Sequence, residues 1–185
     1  PMLQLVSHEE ERVERPLERL ATEESRPFYK WRATTGLVGP EGSIEHTADL
    51  SGALNAISGI NTPAFILLHD AAAWWSDPRV RRQFRDLARS LGPRQQTTFL
   101  LECEARIPDE LEKEITVLDI PLPDRDDVGK LLAALLKSQR IEVPTDRFWR
   151  FVDGSLGLTE REIKRLLARI MMTGGGFTEG DLGAL

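Results

Sequence analysis

A chain of 185 residues suffices for one fair-sized domain, or a domain plus a small appendage, and would bury about 70% of its unfolded surface on folding. Its 41% hydrophobic and 29% charged residues exclude the disordered and fibrous classes. A formal net charge of −6 excludes a global electrostatic footprint for nucleic acid, and the lone cysteine, Cys103, excludes an internal disulfide or a cysteine-based metal cluster.

That cysteine usage points to reducing, cytoplasmic surroundings, and Cys103 itself reads as a small buried hydrophobe. No apolar run approaches the roughly 20 residues of a membrane span, and no leader segment is recognisable. The opening PMLQLVS already lies inside an alternating apolar run, as expected of a fragment whose first strand has lost its lead-in.

Leu3 to Val6 read as a strand, and Ser7 with Glu10 three residues on forms a capping-box signature. The helix that follows would bury Val13, Leu17, Leu20 and Ala21, with a kink or restart at Pro16. FYKWRATT alternates as a strand does, while the glycines and proline of GLVGPEGS predict a loop. Asp49 to Ser58 gives a short helix carrying Leu50, Ala53, Leu54 and Ile57 on one side. AFILL is apolar at every position, as a strand covered on both faces of a parallel sheet must be.

Asp77 before Pro78 is a helix start, and Val80, Phe84, Leu87, Ala88 and Leu91 continue the stripe until Gly92 and Pro93 end it. TTFLLE predicts a further strand, IPDELEKE a short helix and ITVLDI a third apolar strand. This alternation predicts an α/β fold, a parallel sheet with helices on both faces. From the prolines of PLPDRD onward the pattern turns purely helical. Its stripes are Val128, Leu131, Leu132, Leu135 and Leu136; Phe148, Phe151 and Val152; and Ile163, Leu166, Leu167, Ile170 and Met171. The expected division is 1–122 for the α/β core and 123–185 for a small all-α subdomain. Gly174 to Gly176 read as a connection, with a last turn starting at Thr178 that Asp181 could help cap.

The apolar run into Asp70 resembles a metal-holding strand of ATP-hydrolysing proteins, yet no phosphate loop accompanies it. Such a loop needs glycines, a lysine and a hydroxyl at fixed spacing. The Gly129-Lys130 pair has Asp124 where a glycine is needed, Leu131 where a hydroxyl is needed, and a helical context. The place directly after the first strand reads SHEEERVE, and three glutamates would repel phosphate. HEEER fails as a zinc helix because the i+4 position is Arg12, and His46 and His69 lack ligand-spaced companions. No nucleophile elbow occurs. Asp70 falls where α/β sheets collect ligands, but its simplest role is to cap the turn before AAAWW. Trp74 and Trp75 read as core or interface aromatics.

The order of parts, with ARIPDELEKEI, DIPLPDRDDVGKLL and GLTEREIKRLL, resembles an AAA+ ATPase module of five-stranded, RecA-type core and helical lid. Arg106, Pro108, Leu111, Pro121, Leu122, Pro123, Asp124 and Arg125 carry the rhythm of the passage into the lid. More narrowly, LVSHEEERV, KWRATTGL and PDELEKEITVLDIPLPDR look like the N-terminal, P-loop-less AAA+ module of a conserved plastid and cyanobacterial AAA ATPase family. Against the family pattern, Asp70 lacks a second acid after it and Glu104 stands near the sensor position. No arginine after Leu111 looks like an inter-subunit finger, and Arg161 reads as a solvated helix charge.

The resemblance implies a non-catalytic, degenerate domain with Asp70 at a vestigial Walker B position, without catalytic residues, metal or cofactor of its own. ATP and Mg would belong to a downstream AAA+ domain, which with a homo-oligomer would supply the partners in an ATP-dependent remodelling ATPase. Two alternatives come from other classes. One is an enzyme using Asp70 and His69 as acid and base, which adjacent strand residues oppose by pointing to opposite faces. The other is a clamp-loader-like nucleic-acid adaptor built on Arg79, Arg81, Arg82, Arg85 and Arg89.

Overall fold

The computed structural model describes residues 1–172, and the chain divides into two compact units, Pro1–Ile120 and Pro121–Leu185. The expected features at Gly174 to Gly176, Thr178 and Asp181 lie outside the described residues.

In the first unit, β1 (Met2–Val6), β2 (Phe28–Arg32), β5 (Phe65–His69), β6 (Thr97–Glu102) and β7 (Ile115–Asp119) run parallel. A hairpin, β3 (Gly36–Gly39) and β4 (Gly42–Ser43), adds two antiparallel strands, giving the order β4-β3-β2-β5-β6-β1-β7. The sheet therefore has seven strands and is mixed, where five parallel strands and a loop at GLVGPEGS are expected from the sequence. The glycines that suggest a loop instead sit at the ends of short strands. Gly36 (φ +71°) and Gly42 (φ +111°) take up backbone conformations that side-chain-bearing residues resist, while Leu37 between them is fully buried opposite Trp31.

β5 is central, and every residue of it is buried. Its period-two alternation feeds two cores. Ile66 and Leu68 join a cluster with Trp31, Leu54, Ile57, Val80, Phe84 and Leu91, built with α2 (Leu50–Ser58) and α3 (Pro78–Leu91). Phe65 and Leu67 join Leu5, Val13, Ala21, Phe99 and Leu101 beneath α1 (Glu10–Glu23). Helices therefore cover both faces. β7 has β1 as its one neighbour, and Val117 and Leu118 are 39% and 43% exposed, so this apolar strand is an edge strand.

Helix starts divide by their chemistry. Asp77 accepts from the Arg79 N–H at 2.8 Å with Pro78 at the first helical position, and Asp49 accepts from Gly52 N–H at 2.8 Å. The capping box expected at Ser7 and Glu10 does not form: Ser7 Oγ accepts from Glu9 N–H at 3.0 Å, two residues on, and Glu9 is the N-cap. α1 runs through Pro16 without a restart, and Leu20 is 38% exposed rather than core. On either side of Pro16 the helix is tethered to β2, since Lys30 Nζ pairs with Glu14 at 2.7 Å and with Glu18 at 3.2 Å. IPDELEKE contributes only a three-residue 3₁₀ turn, Asp109–Leu111, pinned by fully buried Leu111.

The second unit holds α4 (Arg125–Gln139), α5 (Thr145–Gly154) and α6 (Glu160–Met172). Val128, Leu132, Leu136, Phe151, Val152, Ile163, Leu167 and Ile170 form its core, following the predicted stripes. Asp124 caps α4 by accepting from Asp127 N–H at 2.8 Å. A reciprocal capping box opens α6: Thr159 N–H donates to Glu162 at 2.8 Å and Glu162 N–H donates to Thr159 Oγ1 at 3.2 Å.

Candidate functional site

Parallel strands end in register, and this one fact assembles the site. Ser7 N–H donates to Glu102 O at 2.8 Å and Asp70 N–H donates to Leu101 O at 3.1 Å, so the ends of β1, β5 and β6 lie side by side. Open α/β sheets place their ligand sites at that edge. The strand alternation then sends the side chains to two different places.

On the α3 side, Asp70, Ala72, Ala73, Glu102, Cys103, Glu104 and Arg106 line an open cleft. Asp70 has φ +53° and ψ +31°, a left-handed conformation in which aspartate is enriched among non-glycine residues. Its carboxylate makes no cap bond, contrary to the expected turn-capping role. Glu102 on β6 performs that task, its Oε1 accepting from Ala72 N–H at 2.9 Å. Glu102 is only 6% exposed. Burial pushes its carboxyl up to about 7 and the charge of Asp70 adds to the rise, against the lowering pull of the Ala72 and Ala71 N–H groups and Arg106.

Cys103 is exposed, not buried as its residue type suggests, because it lies one position beyond the end of β6 and outside the layered core. What burial its thiol has, together with Asp70, Glu10, Glu102 and Glu104, pushes its pKa up and away from the thiolate. Glu104 pairs with Arg106 at 2.6 Å on the surface. The Arg106 carbonyl accepts from Trp75 Nε1 at 2.8 Å and from Gln4 Nε2 at 3.3 Å, which fixes the cleft wall to β1 and to the turn after β5.

On the α1 side stands His69, the last residue of β5, which is 3% exposed. Its Nε2 lies 3.3 Å from Glu14 Oε1 and its Nδ1 lies 3.5 Å from Glu10 Oε2. The ligand atoms of Glu10, Glu14 and His69 lie within 4.8 Å of one another. Arg32 contacts Glu14 Oε1 and lies 3.5 Å from Glu10 Oε2, while Lys30 holds the other oxygen of Glu14 at 2.7 Å. Burial lowers the His69 pKa and Arg32 adds to the lowering, which together outweigh Glu14, Glu10 and Asp70 and favour the neutral imidazole. Lys30 is held above its usual value: burial pulls it down, and Glu14 and Glu18 more than offset this.

His69 and Asp70 are thus adjacent in sequence but on different sides of the sheet, one under α1 and the other lining the α3-side cleft. Glu14 and Glu102 are functional-site candidates that the sequence reading missed. The i,i+4 spacing of Glu10 and Glu14 and the odd-numbered register of Phe65, Leu67 and His69 are the signals that could have found Glu14; for Glu102 the signal is its place at the end of the apolar run TTFLLE. His46 is exposed in the loop before α2, and Gly129-Lys130 lies inside α4. On α3, Arg81 is engaged by the Trp75 carbonyl and by Glu110 at 3.4 Å, and Arg82 pairs with Asp86 at 2.7 Å. Among the described residues no helix is long and apolar enough to cross a membrane.

This sheet order and layering define an α/β fold of the AAA+ class. Three solved structures share it. The FIGL-1 AAA domain in complex with ADP has a TM-score of 0.68 at 13% identity, covering 100% of this chain and 64% of that one. A chain of the E. coli MS115-1 HORMA:CdnC:Trip13 complex has a TM-score of 0.68 at 14% identity, covering 98% and 71%. A DNA replication initiation factor has a TM-score of 0.64 at 15% identity, covering 94% and 55%. The profile of the SpoVK-like AAA ATPase N-terminal domain matches residues 1–120, and the chain belongs to that family. It is also similar to the uncharacterized AAA domain-containing protein ycf46 of Guillardia theta, 28% identical over 179 residues, which are 94% of this chain and 35% of that protein. The ycf46 protein of Trieres chinensis is 25% identical over 189 residues, 100% of this chain and 38% of that protein. The chain thus spans about 35–38% of the length of these curated relatives.

Proposed function

We infer that this chain is the non-catalytic, nucleotide-free AAA+-like domain of a larger ATPase, acting in assembly or partner binding. The observation that carries the reading is the start of α1. A phosphate cradle needs several backbone N–H groups aimed at one point without partners. Here Ser7 N–H bonds Glu102 O, Glu9 N–H bonds Ser7 Oγ, and Arg12 and Val13 N–H both bond Glu9 O at 3.1 and 3.2 Å. Glu10 and Glu11 fill the first turn, so the helix dipole is already complemented by carboxylates that would repel a phosphate. Arg32 and Lys30, two cations near that edge, both pair with Glu14.

In this reading Asp70 is the vestige of a metal-holding acid, with ATP and Mg²⁺ served by a downstream AAA+ domain. The relatives' greater length leaves room for such a domain. Its partners are that downstream domain and further copies of the protein, in a cytoplasmic ATP-dependent remodelling machine. Isothermal titration of the 185-residue chain with MgATP should give no binding heat, whereas micromolar affinity would overturn the reading.

A further inference from the structure

We propose that Glu10, Glu14 and His69 form a site for a divalent transition-metal ion of the zinc class, gated by the Arg32 side chain. The three ligands come from two elements brought together by the fold. Glu10 and Glu14 stand one helical turn apart on α1, and His69 closes β5 directly beneath them. In a tetrahedral zinc site with bonds of about 2.0–2.1 Å, neighbouring ligand atoms lie roughly 3.3 Å apart. Glu14 Oε1 and His69 Nε2 are 3.3 Å apart. Glu10 Oε2 lies 3.5 Å from the other ring nitrogen, Nδ1, so completing the set on Nε2 requires the Glu10 side chain, 54% exposed, to swing toward it; the candidate ligand atoms of the three residues already lie within 4.8 Å of one another.

His69 supplies the independent observation. Buried side-chain nitrogens are ordinarily hydrogen-bonded, yet His69 Nε2 has no hydrogen-bond partner although the side chain is 3% exposed. The atom faces a carboxylate oxygen at a distance that suits two ligands of one ion. Lys30 binds the opposite oxygen of Glu14 at 2.7 Å, which aims Oε1 at His69, the part an outer-layer partner plays in metal sites.

Arg32 marks the position as one where positive charge is favoured. Its guanidinium reaches Glu14 and Glu10 together, and it is the last residue of β2, 34% exposed, so it can retire to solvent when an ion enters. One imidazole and two carboxylates suit zinc or manganese. They suit magnesium and calcium poorly, since those ions take oxygen ligands throughout. Three protein ligands would leave a fourth position open.

The test is titration of the tag-free 185-residue chain with Zn²⁺ in competition with a chelator, alongside nitrogen NMR of the three histidines. The expected result is one Zn²⁺ per chain with the imidazole shift at His69, no response to Mg²⁺, and affinity at least tenfold weaker in Glu10→Gln. Arg32→Gln should bind about tenfold more tightly, because it removes the competing cation. A structural role for the cluster would not produce that gain. Absence of stoichiometric binding in both the parent chain and Arg32→Gln would overturn the proposal. So would shifts at His8 or His46 in place of His69, or affinity indifferent to Glu10→Gln.

Discussion

Glu102 Oε1 accepts a hydrogen bond from the backbone N–H of Ala72 at 2.9 Å, tying the end of β6 to the turn that follows β5. The bond is made by a carboxyl that is 6% exposed and has its pKa raised from 4.5 to about 7.

Between 4.5 and about 7 the folded state holds the Glu102 proton more tightly than the unfolded chain, so this group's contribution to stability is present at low pH and is lost as pH rises through that window. Glu102→Gln keeps an acceptor for Ala72 but cannot ionise. It should match the parent near pH 4.5 and be more stable at pH 8 by about 1–3 kcal/mol after solvent screening, read from urea midpoints at the two pH values.

Asp70→Asn should lower the Glu102 pKa without restoring the ordinary value. Burial is the larger cause of the rise and the Asp70 charge a smaller one. Carbon NMR titration of the Glu102 carboxyl reads the shift directly, and an unchanged midpoint would show that the two carboxyls do not sense each other.

Gly52→Ala reverses the usual rule for helices. Propensity alone favours alanine by about 1 kcal/mol. At this position, however, the added Cβ would lie 2.3 Å from the His46 carbonyl oxygen, a backbone atom, and the Asp49 cap bonds to the same residue. The variant should lose about 1–3 kcal/mol in chemical denaturation.

Trp31→Phe tests the seam between the central strands and the hairpin. Trp31 is fully buried, its Nε1–H donates to the Thr47 carbonyl at 2.8 Å, and its ring meets Trp74 edge-on at 5.2 Å. Phenylalanine leaves a cavity and strips the carbonyl of that donor, for a loss of about 2–4 kcal/mol, measured by the urea midpoint.

Local signals carried much of the architecture. The unbroken apolar run of β5, the Asp-Pro start of α3 and the helical stripes after Pro121 each follow from the geometry of a single element, so they are readable wherever that element sits. The resemblance of PDELEKEITVLDIPLPDR and its companions led to the AAA+ fold and to the family. The hairpin of β3 and β4 was not legible in this way, because glycine marks both a loop and a strand end, and only burial of Leu37 against the sheet separates the two.

Residue types and local spacing established a chain built for an α/β sheet with helical companions, and one whose first helix begins on glutamates. Which side chains meet was settled by the fold. Parallel strands bring distant strand ends into one row, and a one-residue step along β5 sends His69 beneath α1 and Asp70 into the cleft beside Glu102. A corresponding step past the end of β6 leaves Cys103 outside the core. No local period encodes such meetings, because they depend on strand order and register, which long-range packing sets.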